Sequence, residues 1–164
     1  MMGARVVGGC TRVTAVAALA LSILLSGGPQ ADAVQTLHID QIHVPFPSPS
    51  PSDCDAGGVE KLSANTLTVE SDVDWKVSVL GTATTWSCSG ATCWTGKPRT
   101  DIQWREAGSS YSALSGSAAV VKTGIATTPG TEDIVIDYRI LLDWTDDAPG
   151  TYSYDFLVYE VSAL

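Results

Sequence analysis

The sequence predicts an all-β fold, an antiparallel Ig-like β-sandwich preceded by a cleaved signal peptide. Three observations carry this. Apolar residues alternate with polar ones in several short runs. Turn residues separate those runs. After the N-terminal segment, no window of eleven or more residues shows a 3.6-residue period.

The N-terminal segment comes first. Arg5 and Arg12 give it positive charge, with no acidic residue before Asp32. Residues 13–25 are almost wholly apolar, too few to span a bilayer, which takes about 20. Ser26-Gly27-Gly28-Pro29 ends the run, and Ala31-Asp32-Ala33 is a small-x-small cleavage pattern. These features predict a signal peptide over residues 1–33, cut after Ala33, and no stable membrane insertion after cleavage. Cys10 precedes the apolar run, which does not suit lipidation.

The mature chain is then 34–164. Loss of Arg5, Arg12 and Asp32 from 9 basic and 18 acidic residues leaves 7 and 17, a net charge of −10. Such a surface repels phosphate backbones, so the sequence predicts no nucleic-acid partner. Its length predicts one sandwich domain over 53–164, with a strand and linker over 34–52. Three cysteines remain, in an oxidising compartment. Short-range closure favours Cys88–Cys93, worth roughly 2 kcal/mol. Pairing of Cys54 with either one is the alternative; otherwise Cys54 is left for an intermolecular bridge or a thiol.

The strands follow in order. Residues 35–45 read as extended, with Leu37 and Ile39 on one face, then Ile42 and Val44 on the other. Alternating Pro and Ser over 45–52 favours polyproline II. Residues 53–64 read as a polar loop. Leu67 and Val69 alternate with Thr and Glu, and Val73, Trp75, Val77 and Val79 give the cleanest half-buried strand. Residues 81–100 are rich in Thr, Ser and Gly. Ile102 and Trp104 mark one short strand, and Val120 and Val121 another. Ile134, Ile136, Tyr138, Ile140, Leu142 and Trp144 form a long apolar face. A turn at 146–150 leads into the last strand. There Tyr152, Tyr154 and Phe156 give way to Tyr159 and Val161, a change of parity that predicts a bulge.

Little of this suits catalysis. His38 and His43 are five apart and point to opposite faces of a regular strand. No hydrolase, phosphate-loop or dinucleotide motif is present. The carboxylate sets Glu70, Asp72, Asp74 and Asp143, Asp146, Asp147 match a solvated acidic edge better than a glycosidase pair. The sequence therefore predicts no enzyme and no cofactor. Weak calcium binding at Asp143, Asp146 and Asp147 is the one metal expectation. Trp86 and Trp94 flank the Cys88–Cys93 segment and form the candidate ligand-binding pair, for sugar rings or a protein surface. Trp75 and Trp144 are expected in the core.

The segment Asp137-Tyr138-Arg139-Ile140-Leu141-Leu142-Asp143-Trp144, followed by Ala148-Pro149-Gly150-Thr151-Tyr152, resembles the closing hairpin of secreted prokaryotic surface β-sandwiches. With Asp74-Trp75-Lys76-Val77-Ser78-Val79 it is similar to WxL-type and fimbrial or pilin-like domains. Trp144-Thr145-Asp146 stands where the former carry Trp-x-Leu. The WxL resemblance implies peptidoglycan binding; the tethered apolar strand at 35–45, with no catalytic motif, predicts a non-enzymatic secreted or cell-surface structural or adhesive protein, a pilus-like subunit that self-assembles or joins other surface proteins. A strand at 35–45 on a Pro/Ser tether either adds to the sheet of a neighbour or pairs with its own body. The alternative expectation is an extracellular carbohydrate- or cell-wall-binding module, with cell-wall glycan as partner.

Overall fold

The computed structural model describes residues 12–16 (backbone), 33–90, 92–145, 147, 148 and 150–164, with the side chain of residue 156 undescribed. Most of the proposed signal peptide and Ala31-Asp32 lie outside the described residues. Among the described residues, ten strands form two five-stranded sheets. They are β1 (Arg12–Val16), β2 (Gln35–Ile39), β3 (Gly58–Ser71), β4 (Trp75–Gly81), β5 (Ser87–Ser89), β6 (Ile102–Glu106), β7 (Ser112–Ala113), β8 (Ala119–Gly124), β9 (Glu132–Leu141) and β10 (Thr151–Ala163). One sheet runs β1-β10-β4-β8, with β5 also on β10; the other runs β2-β3-β9-β6-β7. All pairings are antiparallel except β1 with β10.

Alternation sorts the side chains as the sequence predicts. Trp75, Val77 and Val79 of β4 are buried, as are Ile134, Ile136, Tyr138 and Ile140 of β9. They share one core with Leu67, Val69, Ile102, Trp104, Leu157 and Tyr159. In β10 the buried set runs Tyr152, Tyr154, then Leu157 and Tyr159, so the change of parity falls between 154 and 157. The β1–β10 register shifts at the same place.

The structure corrects three readings and decides one left open. Residues 53–64 are not a loop. Pro51–Asp55 form a one-turn helix, α1, and β3 starts at Gly58. Ser50 caps α1: its hydroxyl accepts from the Asp53 N–H while the Asp53 carboxylate accepts from the Ser50 N–H. That bond, with one from the Ser50 hydroxyl, holds the Asp53 carboxyl below its ordinary range. Polar β3 residues were misleading because β3 carries a bulge between Lys61 and Asn65, which breaks the alternation. Ser63 sits there at φ 47°, its N–H donating to Asp137 at 2.8 Å.

Secondly, β2 ends at Ile39. The chain then turns inward, burying Val44 and Phe46. Thirdly, the N-terminal strand takes one of the two pairings open to it. β2 pairs with β3 from Gln35↔Ser71 to Ile39↔Leu67, within the same chain. Lastly, Trp144 is 62% exposed, because β9 stops at Leu141 and the alternation beyond it no longer describes a strand.

Buried tyrosines need partners for their hydroxyls. Tyr138 and Tyr159 bond each other at 2.6 Å, and Tyr154 donates to the Ala83 carbonyl at 2.7 Å. Burial raises all three acidities' pKa values, Tyr154 to about 12. A tyrosine in the unfolded chain ionises near pH ~10. Above that pH the folded state holds protons that the unfolded state releases, so stability falls as pH rises. Urea unfolding should therefore show constant stability from neutral pH to about 10 and a steady loss towards about 12. A Tyr159→Phe variant should lose less over that range.

Candidate functional site

One end of the molecule gathers α1, residues 84–101 and the 141–150 turn. Residues 84–86 lie against 97–99: Trp86 N–H donates to Lys97 O at 2.9 Å, and Arg99 N–H donates to Thr84 O at 2.9 Å. Between these two stretches the chain first forms β5 on β10 and then leaves the sheet. Cys88 and Cys93 are joined by a disulfide there. Cys54 stays outside the disulfide, half-buried in α1 beside the core.

Lys97 is the centre of this end, although nothing in the sequence marks it. Its side chain is fully buried. The ammonium donates to Asp101 Oδ2 at 3.0 Å, Leu141 O at 3.0 Å and Asp147 Oδ1 at 2.6 Å. It also lies 6.0 Å above the Trp86 ring. Three protons meet three acceptors, which is what a buried ammonium requires. The cation fixes the far side too. Asp147 Oδ2 accepts from the Asp143 N–H at 2.8 Å, and Asp143 Oδ1 accepts from the Thr145 N–H at 2.6 Å.

This network decides the fate of the candidate residues. Both oxygens of Asp147 are engaged by Lys97 and a backbone amide. Asp143 is exposed, and Asp146 lies outside the described residues. Among the described residues no three His, Cys, Asp or Glu side chains cluster as a metal site. His38 and His43 are both exposed. In the other carboxylate set, Asp72 accepts from the Val34 N–H at 3.0 Å and Asp74 from the Ala126 N–H at 3.2 Å.

The tryptophan pair divides. Trp86 is 3% exposed, donates to Pro98 O at 2.9 Å and packs edge-on to Tyr154. It belongs to the core and presents no face to a ligand, which corrects its place in the candidate pair. Trp94 is half-buried and lines a cleft of about 330 Å³ with Gly57, Asp101, Leu142, Asp143 and Asp147. Its indole lies over Gly96, where a Cβ would come 2.6 Å from Nε1. The Trp94 N–H donates to the Tyr152 hydroxyl at 3.0 Å, and that hydroxyl donates to Ala148 O at 2.6 Å. Trp144 follows Asp143 directly, and its Nε1 donates to Asp55 Oδ1 at 3.0 Å. Sequence reasoning missed Trp144, and the only available signal was its place beside the 146–150 turn.

Comparison with protein-family models and with curated proteins finds no match. The functional reading therefore rests on the geometry alone.

Gly150 lets the closing turn meet the disulfide loop, since a Cβ there would lie 2.4 Å from Cys93 Cβ. Gly150→Ala should cost about 1–3 kcal/mol of stability by overpacking. Urea unfolding of the oxidised protein would check this. The Cys88→Ser/Cys93→Ser variant should lose roughly 2 kcal/mol by the same measurement.

Proposed function

We propose that this is a non-enzymatic secreted or cell-surface structural protein, an Ig-like sandwich that assembles by accepting a strand from a second copy. The observation behind this reading is the outer edge of β10. Ser153 pairs with Ser87 on one side and Arg12 on the other; Leu157 pairs with Gly81 and with Ala15; Val158 pairs with Leu80 and with Val16. Two partners of one strand residue lie on opposite edges. So β4 and β5 cover one edge, and β1 alone among the described strands covers the other.

β1 belongs to the proposed signal peptide. Cleavage after Ala33 would remove it and leave β10 as an edge strand. An uncovered edge presents unpaired N–H and C=O groups that template pairing with another chain. Proteins that avoid this place lysines or prolines on such strands. β10 contains no Lys, Arg or Pro, and its only charges are Asp155 and Glu160. The adhesive reading is thus supported by β10 rather than by 35–45, whose strand already pairs with β3. No helix among the described residues is long and apolar enough to cross a membrane, and the Cys88–Cys93 disulfide suits an oxidising location.

The mature chain, residues 34–164, should form dimers or larger species in light scattering after size exclusion. A synthetic peptide spanning 11–18 should return it towards monomer by occupying β10. A mature chain that stays monomeric at high micromolar concentration would contradict the proposal.

A further inference from the structure

The β10 edge does not account for the tryptophans at the loop end. Trp144 is 62% exposed and follows Asp143, which lines the cleft, directly in the chain. It is held, not loose, by the Asp55 carboxylate. Trp94 is likewise fixed, by Gly96 beneath its indole and by Tyr152 on its backbone. Between Trp94 and Asp143 lies the cleft of about 330 Å³, the scale of small-ligand pockets. One aromatic wall, Trp94, with carboxylates beside it and the exposed Trp144 next in the chain to Asp143, suits a ligand with an apolar face and a ring of hydroxyl donors.

Charge narrows the class. Asp101, Asp143 and Asp147 line the cleft, and Lys97 is already matched to three acceptors. An anionic ligand would meet repulsion and no available cation among these lining residues. A neutral sugar avoids that cost. Its C–H face stacks on indole, and its hydroxyls donate to carboxylate oxygens, each of which has more than one lone pair.

We infer that this cleft binds a neutral pyranose unit of an extracellular glycan, stacked on Trp94, with Trp144 extending the platform and Asp101 and Asp143 accepting its hydroxyls. The inference stands independently of strand addition at β10. It also moves the sugar platform from Trp86 and Trp94 to Trp94 and Trp144.

The test is tryptophan fluorescence and calorimetric titration of the oxidised mature protein. The probes are cellotetraose, maltotetraose and chitotetraose, with sialyllactose as the anionic control. At least one neutral probe should bind and perturb the fluorescence, and sialyllactose should not. Trp144→Ala and Trp94→Ala should each weaken binding about tenfold, and Trp144→Phe should restore most of it. Trp144→Ala removes an exposed side chain, so its thermal midpoint should stay near that of the parent, separating lost affinity from lost fold. Absence of binding by all three neutral probes would overturn the inference. So would affinity unchanged in both alanine variants, or tighter binding of sialyllactose.

Discussion

The loop end of this protein depends on one buried cation. An ammonium removed from water is tolerated only when its protons find acceptors of good geometry. Lys97 finds them on three separate stretches of chain: Asp101 four residues on, Leu141 at the end of β9, and Asp147 in the closing turn. Trp86 supplies the floor. Because Asp147 in turn holds the Asp143 amide, the cation sets the path of the chain through Trp144. Removing it would leave buried carboxylates uncompensated, so the network holds as a unit.

The sheets were legible because burial on one face imposes a period of two. The apolar residues of β4 and β9 follow that rule, although Ser78 and Asp137 are buried between them, and even the bulge in β10 was visible as a change of parity. The rule fails where pairing is irregular. The start of β3 hid behind a bulge whose amide is satisfied by Asp137, a residue 74 positions away. Trp144 kept the rhythm of β9 after the strand itself had ended. Trp86 and Trp94 look alike in sequence, each in a polar setting. Only the pairing of 84–86 with 97–99 places one inside and the other at a cleft. Lys97 was invisible, since its partners are set by tertiary structure. The Cys88–Cys93 bond, by contrast, followed from proximity in sequence.

Two surfaces of different character result. With β1 removed, as proposed, the outer edge of β10 would offer backbone groups, whose recognition is insensitive to sequence and favours another strand. The loop end offers aromatic and carboxylate side chains in a fixed frame, which favours a small polar ring. Its fixity comes from polar interactions with long sequence separation, including Trp144 to Asp55 across 89 positions and Trp94 to Tyr152 across 58. The two proposals, strand addition at β10 and glycan binding at the loop end, require both surfaces to be open together. Among the described residues, β1 alone covers the β10 outer edge, and it makes no part of the cleft lining.

The most direct test of this account is a double-mutant cycle on Lys97 and Asp147, read by urea unfolding at neutral pH. Lys97→Met and Asp147→Asn should each cost about 3–5 kcal/mol, as breaking a buried pair does. The double variant should cost clearly less than their sum, with a coupling of about 2 kcal/mol or more. Additive losses, or single losses below about 1 kcal/mol, would show that the cation does not organise this end of the fold.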